Sequence, residues 1–175
     1  MDPERAFGTG NHPSTALCIE ILEHLLTSVL RGEGDSGPSV LDVGTGSGIL
    51  GIVAARQGAE RVVGLEIDPE ALEAAQRNVD RNGVGEVMSV ALTPLDQVEE
   101  SFDVVVANLT ASLLTHMANN LVEHVSYKGL LLLSGILAEQ VEEVAKCFQV
   151  HYFKVVDSRA TEEWRAILLR REKMA

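Results

Sequence analysis

Acidic or amide side chains lie at or near the ends of several predicted strands. A glycine-rich loop follows the first of these side chains. Asp42 precedes a loop with glycine at every second position, in the order Gly44-Thr45-Gly46-Ser47-Gly48. Glu66 ends a second apolar run, and Asn108 follows a later one. An apolar helical pattern follows the glycine loop. A strand, a glycine turn and a helix in that order let backbone approach a ligand closely at a helix N-terminus. This arrangement predicts a nucleotide or nucleoside site.

Two interpretations of the glycine loop compete. Residues 46–51 match the G-x-G-x-x-G of dinucleotide-binding enzymes, which is a weak signal by itself. The pattern apolar-apolar-Asp-apolar-Gly-x-Gly-x-Gly instead resembles the first motif of S-adenosylmethionine-dependent methyltransferases. Asp42 favours the second interpretation, because it would repel a pyrophosphate but not a sulfonium cofactor that carries an ammonium group. A buried carboxylate needs a cation or a set of donors, so Asp42 could also cap the loop's backbone amides, and both roles can hold together.

Glu66 and Asn108 each have two open interpretations. Glu66 lies 22 residues after Gly44, a spacing at which an acid accepts hydrogen bonds from ribose hydroxyls. The alternative is an exposed acid at the end of a strand. Asn108 is predicted to accept a hydrogen bond from an amine nucleophile and to orient it for in-line attack. The alternative is an N-cap for the helix that follows.

Hydrophobic periodicity predicts the elements that position these residues. Strands are expected at residues 40–43, 61–65, 87–92, 102–107, 130–134, 150–157 and 164–170, and helices at 17–30, 49–55, 69–82, 111–126 and 137–148. The last two strands are separated by six residues, and a parallel crossover needs a dozen or more, so they should pair antiparallel. The predicted fold is α/β, with a doubly wound, mostly parallel seven-stranded sheet and a C-terminal antiparallel hairpin. This layout is similar to the Rossmann-like fold of class I methyltransferases.

Composition limits the classes of partner. The chain has 175 residues, which fits a single domain over 1–175, and a formal net charge of -12. This charge disfavours direct nucleic-acid binding and suits a basic partner. The sequence contains no signal peptide and no apolar run that could span a membrane, so a cytoplasmic location is expected. The oligomeric state stays open.

Cysteines and histidines give no metal signal. Cys18 and Cys147 have no metal or redox spacing and are expected to be reduced, buried thiols. The histidines at 24, 116, 124 and 151 have no ligand spacing, so no metal is expected. His12 could take a proton from a lysine ammonium, but a histidine in a Gly/Pro loop more often forms a turn or packs, and that is the preferred interpretation.

Several blocks resemble the PrmA family, the methyltransferases of ribosomal large-subunit protein eleven. They are residues 6–18, 40–50, 64–69, 78–84, 103–109, 133–140 and 162–164, including Ala6-Phe7-Gly8-Thr9-Gly10-Asn11-His12-Pro13. The resemblance covers essentially the whole chain. Two positions depart from the family pattern: Glu66 stands where Asp is more usual, and Thr110 replaces an apolar residue. The family also has an N-terminal domain that recognises the ribosomal protein, and this chain begins at the catalytic signature.

The resemblance implies a set of site residues. S-adenosylmethionine would be held by Thr15, Gly44, Glu66 and Asn108, with Phe7 and Thr9 lying over it. The full predicted cofactor-binding set is Phe7, Thr9, Thr15, Asp42, Gly44, Gly46, Gly48, Glu66, Ile67 and Asn108. Asn108 is also the predicted catalytic residue.

The expected activity is methyl transfer from S-adenosylmethionine to protein amino groups, on lysine or at an N-terminus, with a basic protein such as a ribosomal protein as substrate. One alternative is methylation of a small molecule or of another protein by the same residues. A further alternative is a cofactor-binding catalytic half that is inactive without a recognition domain.

Overall fold

The computed structural model of the protein describes residues 12–29 and 37–172. The strands are β1 (Ser39–Val43), β2 (Arg61–Glu66), β3 (Met88–Leu92), β4 (Phe102–Asn108), β5 (Val125–Leu137), β6 (Phe153–Ala160) and β7 (Trp164–Arg171). The helices are α1 (Pro13–His24), α2 (Ile49–Arg56), α3 (Pro69–Asn82), α4 (Ala111–His116), α5 (Ala118–Glu123) and α6 (Val141–Gln149). A π-helical segment (Leu25–Val29) prolongs α1, and 3-10 turns lie at Leu95–Gln97 and Ala138–Gln140.

The strands form one seven-stranded sheet in the order β3-β2-β1-β4-β5-β7-β6. The pairs β2–β3, β1–β2, β1–β4 and β4–β5 are parallel, whereas β7 is antiparallel to both β5 and β6. The predicted mostly parallel sheet with a terminal antiparallel hairpin is therefore confirmed. Because β1 lies between β2 and β4, the loops that follow these three strands meet at one edge of the sheet.

Helices cover both faces of the sheet and form two apolar cores. Val104 and Val106 of β4 face the core shared with α1 and α2, whereas Val105 and Ala107 face the core shared with α4, α5 and α6. All four side chains are fully buried. Burial on both faces explains why β4 is a continuous apolar run rather than an alternating one.

The boundaries of α3 follow from its capping residues. Asp68 accepts a hydrogen bond from the Glu70 amide at 2.9 Å, and Pro69 occupies the first helical position. The helix ends at Gly83, whose φ of 64° is in the left-handed region that glycine adopts without strain. These ends were predicted from the sequence.

Several predicted boundaries were wrong. Helix α1 begins at 13 rather than 17, β5 spans 125–137 rather than 130–134, and α6 begins at 141 rather than 137. Two further differences have a clear physical reason. The helix predicted over 111–126 is divided into α4 and α5 and ends at Glu123. His124 is drawn to the sheet because its backbone oxygen accepts from the Phe102 amide at 2.8 Å, and β5 begins one residue later. Strand β6 begins at 153 rather than 150, because α6 continues to Gln149 and Tyr152 turns the chain with a φ of 64°.

The two cysteines differ in burial. Cys18 and Cys147 are both free; Cys18 is buried as predicted, but Cys147 is partly exposed, which corrects that expectation. Burial raises the pKa of the Cys18 thiol to about 12. In the part of the chain that the structure describes, no helix is both long and apolar enough to cross a bilayer.

Candidate functional site

A cleft lies at the carboxyl ends of β1, β2 and β4, where five of the ten predicted site residues converge. Its volume is about 430 Å³. The lining residues are Val43, Gly44, Gly46, Leu65, Glu66, Ile67, Asp68, Ala71, Thr93, Leu95, Asn108, Leu109, Thr110, Leu113 and Met117. The cleft has the size and mostly apolar lining of a small-molecule site.

The glycine loop forms one wall of this cleft. The three loop glycines have φ values of 70° (Gly44), 56° (Gly46) and 82° (Gly48), which residues with side chains rarely adopt. Gly44 also makes a close approach, because a Cβ atom there would lie 2.7 Å from Cδ2 of Leu109. Gly48 does not line the cleft; it caps α2 and packs against Ala75 of α3. Gly44 and Gly46 are therefore placed to contact a ligand, whereas Gly48 supports them.

Glu66 fixes the loop and still faces the cleft. Its carboxylate accepts hydrogen bonds from the amides of Gly46 (2.9 Å), Ile67 (2.8 Å) and Asp68 (3.2 Å). A carboxylate offers about four lone-pair positions, so Glu66 can also accept a hydrogen bond from a ligand hydroxyl. Ile67 beside it is 77% exposed and gives the rim an apolar surface.

Asp42 lies beneath the loop rather than in the cleft. It is 1% exposed and accepts hydrogen bonds from the Thr45 hydroxyl at 2.6 Å and the Gly51 amide at 3.1 Å. Gly51 is in the first turn of α2, so Asp42 satisfies an amide of that helix and holds the loop through the Thr45 hydroxyl. Burial raises the pKa of its carboxyl to about 6, although both hydrogen bonds act in the opposite direction. These contacts favour a structural role for Asp42 over direct contact with a cofactor. They differ from the expected capping of the loop's backbone amides, because Asp42 bonds to a hydroxyl of the loop and to an amide of α2.

Asn108 and Thr15 come together across 93 positions of sequence. The Asn108 side-chain amide donates to the Thr15 hydroxyl at 3.1 Å. The Oδ1 atom of Asn108 is buried and has no hydrogen-bond partner among the described residues. Thr110, not Asn108, is the N-cap of α4, and its hydroxyl accepts from the Leu113 amide at 3.4 Å. The capping interpretation of Asn108 is therefore wrong, and its side-chain oxygen has no partner in ranges 12–29 and 37–172.

Two of the predicted cofactor-binding residues and His12, which is not in that set, lie near the N-terminus. Phe7 and Thr9 lie outside the residues that the structure describes. His12 caps α1, with Nδ1 2.8 Å from the Ser14 hydroxyl and the ring edge-on to Trp164 at 4.7 Å between centroids. This geometry agrees with the preferred interpretation of His12 as a structural residue.

Several residues that line the cleft were not predicted from the sequence. Thr93 follows β3 at the same sheet edge, a position that strand order alone could have indicated. Leu109 lies in the loop before α4, Leu113 on α4 and Met117 between α4 and α5, and none of them is part of a ligand-binding motif. No group of three or more His, Cys, Asp or Glu residues that could hold a metal occurs in ranges 12–29 and 37–172.

Strand order, terminal hairpin and the glycine-loop cleft define the fold of a class I S-adenosylmethionine-dependent methyltransferase. The crystal structure of an RNA methyltransferase from Salinibacter ruber in complex with S-adenosyl-L-homocysteine shares this fold. It aligns with a TM-score of 0.68 at 19% identity, over 90% of this chain and 92% of that one.

Within that class, the chain belongs to the ribosomal protein L11 methyltransferase (PrmA) family, whose sequence model matches residues 1–172. The ribosomal protein L11 methyltransferase of Geotalea daltonii is 41% identical over 172 residues, covering 97% of this chain and 55% of the relative. That of Pseudomonas paraeruginosa is 46% identical over 171 residues, covering 98% and 55%.

A solved relative agrees with this assignment. The crystal structure of ribosomal protein L11 methylase from Lactobacillus delbrueckii subsp. bulgaricus aligns with a TM-score of 0.80 at 28% identity. It covers 93% of this chain and 81% of that one. The chain spans about 55% of the length of the curated relatives that it matches.

Proposed function

We propose that the chain binds S-adenosylmethionine and transfers its methyl group to an amino group of a protein, with a ribosomal protein as the favoured substrate. The observation that carries the proposal concerns Asn108, which lines the cleft: its Oδ1 atom is buried and has no hydrogen-bond partner among the described residues. An oxygen that accepts but cannot donate suits the N–H of a neutral amine.

The cofactor requirement is supported by the fit of the cleft. Gly44 and Gly46 let backbone approach a ligand, Glu66 has an acceptor position left for a ribose hydroxyl, and the apolar Ile67 and Leu113 can contact a base. S-adenosylmethionine supplies a methyl carbon on a sulfonium, and the sulfur leaves as a neutral thioether when that carbon is attacked. Phe7 and Thr9 are proposed to cover the cofactor, as the family resemblance implies.

The residues of the chain contribute position rather than acid–base chemistry. Asn108 Oδ1 accepts one N–H of the amine and so directs the nitrogen lone pair toward the methyl carbon. Thr15 holds the other end of the carboxamide and thereby prevents its rotation. The new C–N bond forms as the C–S bond breaks, and the resulting ammonium releases a proton to solvent. Such positioning lowers the barrier by removing the entropy cost of alignment.

A basic protein substrate is supported by charge. The net charge of -12 attracts Lys- and Arg-rich proteins and repels nucleic-acid backbones. Curated relatives are named for a ribosomal protein. Methylation of a small molecule by the same cleft remains the alternative, and a parallel assay with free amines distinguishes the two.

The experiment has a binding arm and a transfer arm. Calorimetry should detect binding of S-adenosylmethionine or S-adenosylhomocysteine and none of NAD; binding of NAD alone would overturn the cofactor assignment. Transfer of labelled methyl groups to the purified ribosomal protein should fall at least about tenfold in Asn108→Ala, because the amine loses its orienting acceptor. Unchanged turnover in that variant would exclude this role of Asn108.

A further inference from the structure

Residues Ser134 and Gly135 of β5 belong to a block that resembles the family pattern, but neither is among the residues proposed to bind the cofactor or to orient the amine. Residue Asn108 of β4 pairs in register with Ser134. On the other side of β5, the pairing with β7 shifts register between Leu133 and Ile136, so this step leaves the regular ladder. A β-bulge beside a candidate site is a feature that re-aims the residues next to it.

Gly135 lies beside the carboxamide oxygen proposed to orient the amine. Its φ is 80°, and a Cβ atom there would lie 2.3 Å from the backbone oxygen of Leu109 and 3.2 Å from Oδ1 of Asn108. Residues with side chains rarely adopt this backbone conformation, and the first of these distances leaves no space for one. The absence of a side chain at 135 therefore determines where Oδ1 can lie.

Leu109 occupies a slot between two glycines. Its side chain packs against Gly44 of the cofactor loop, and its backbone oxygen packs against Gly135. Its amide donates to the backbone oxygen of Ser134 at 3.1 Å. The residue after Asn108 is thus held from both sides, and it cannot shift without moving the carboxamide.

Ser134 fixes the opposite end of the same carboxamide. It is fully buried. Its hydroxyl proton is shared in a bifurcated hydrogen bond between the backbone oxygens of Ser14 (3.0 Å) and Arg165 (3.2 Å). Ser14 precedes Thr15, the residue that accepts from the Asn108 amide. Ser134 therefore connects the start of α1 to the sheet at the position that is in register with Asn108.

We infer that Ser134 and Gly135 are positioning residues for methyl transfer: Gly135 places the carbonyl end of the Asn108 carboxamide, and Ser134, through α1 and Thr15, places its amide end. The inference rests on the proposed function of Asn108 as the group that orients the amine. It assigns the β5 bulge a role in turnover rather than in cofactor affinity.

Gly135→Ala tests this inference, and Gly83→Ala is its matched control. Gly83 has a φ of 64°, but a Cβ atom there meets no heavy atom within 4 Å, and it lies at the far end of the 14-residue helix α3 from the cleft. Both variants carry the same kind of backbone strain, and only one displaces Leu109 and Asn108. The readouts are the Kd of S-adenosylhomocysteine, kcat with the amine substrate, and the side-chain amide resonances of Asn108 in the ¹⁵N-labelled, S-adenosylhomocysteine-bound chain, assigned by their loss in Asn108→Asp.

Gly135→Ala should shift the Asn108 amide resonances and lower kcat at least tenfold while the Kd changes less than threefold, whereas Gly83→Ala should change none of the three. Unshifted Asn108 resonances and a kcat equal to that of Gly83→Ala would overturn the inference. If the parent chain transfers no methyl group to any amine, the proposed function fails, while the resonances still decide the placement of Asn108. If Gly135→Ala does not fold, Ser134→Ala, which only removes the hydroxyl, gives the same readouts and the same criteria.

Discussion

At the scale of single residues, the two acids of the predicted site have different tasks. Asp42 uses its hydrogen bonds on Thr45 and Gly51 and is shielded from solvent. Glu66 also binds backbone amides, but it lines the cleft. Burial therefore separates a supporting carboxylate from one that can contact a ligand, although both end strands at the same edge of the sheet.

Asp42 should make the stability of the ligand-free chain depend on pH. Its pKa is raised from 3.8 to about 6, so between these values the unfolded chain releases this proton while the folded chain retains it. The Asp42 contribution to the free energy of unfolding is therefore present below pH 3.8 and is lost as pH rises through about 6, by up to about 3 kcal/mol. Urea unfolding of the parent chain and Asp42→Asn at pH 4 and pH 7.5 measures this difference.

Asp42→Asn should gain stability relative to the parent chain as pH rises, and an equal difference at the two pH values would contradict the prediction. Thr45→Val serves as a directional control. The Thr45 hydroxyl lowers the pKa of Asp42, so its removal should extend the loss of stability to higher pH.

Glu66→Ala should weaken S-adenosylmethionine binding at least about tenfold. Hydrogen bonds to a charged acceptor contribute about 1.5–3 kcal/mol each, and the variant also releases the Gly46 amide that shapes the cleft. Calorimetry measures the affinity. The control is Glu70→Ala, an exposed acid in the first turn of α3, which should leave the Kd unchanged. An equal Kd in both variants would mean that Glu66 has no part in binding.

At the scale of elements, the glycine loop depends on β2 as much as on its own sequence. Asp42 of β1 pairs in register with Gly64 of β2. A Cβ atom at Gly64 would lie 2.9 Å from the Thr45 hydroxyl oxygen. The missing side chain on β2 therefore makes room for the Thr45–Asp42 hydrogen bond that holds the loop.

Gly64→Ala should displace Thr45 and lower the affinity for S-adenosylmethionine at least about tenfold, because an unmet hydrogen bond to a buried acid costs 1–3 kcal/mol or more. Gly85→Ala is the matched control, since its added Cβ would approach only Val79, at 3.9 Å. Calorimetry on both variants makes the comparison. A Gly64→Ala variant that binds as tightly as Gly85→Ala would show that the loop does not need this space.

At the scale of the whole molecule, the described chain is almost entirely the cofactor fold. The sheet and its six helices account for the two apolar cores, and the cleft lies at one edge of the sheet. A specific protein complex usually buries about 1,200–2,000 Å² of surface. The chain spans about 55% of the length of its curated relatives, so the relatives contain further residues outside the matched segment.

These 175 residues should therefore bind the cofactor but methylate the purified ribosomal protein slowly. We expect kcat/KM at least about tenfold below that of a full-length relative, mainly through KM, because fewer contacts hold the substrate. Steady-state assays of both proteins, with the same ribosomal protein as substrate, make the measurement. Equal kcat/KM values would place substrate recognition within this chain.

Local sequence was sufficient for the architecture and for the location of the site. The valine run of β4 indicates burial on both faces, the short connection before β7 requires antiparallel pairing, and the glycines after β1 mark the ligand edge. Each of these signals depends on residues close together in the chain, where backbone geometry limits the outcomes. They predicted the sheet and the convergence of Glu66, Gly44 and Asn108.

The division of labour within the site depends on contacts between distant segments. Thr110 rather than Asn108 caps α4, Asp42 supports α2 from beneath, and Leu109 lies between Gly44 and Gly135. The Asn108–Thr15 and Ser134–Ser14 hydrogen bonds join residues 93 and 120 positions apart. Periodicity and motif spacing describe local geometry only. Which buried polar atoms of the described residues are paired, and which are left without a partner, is therefore determined by how the sheet and helices pack.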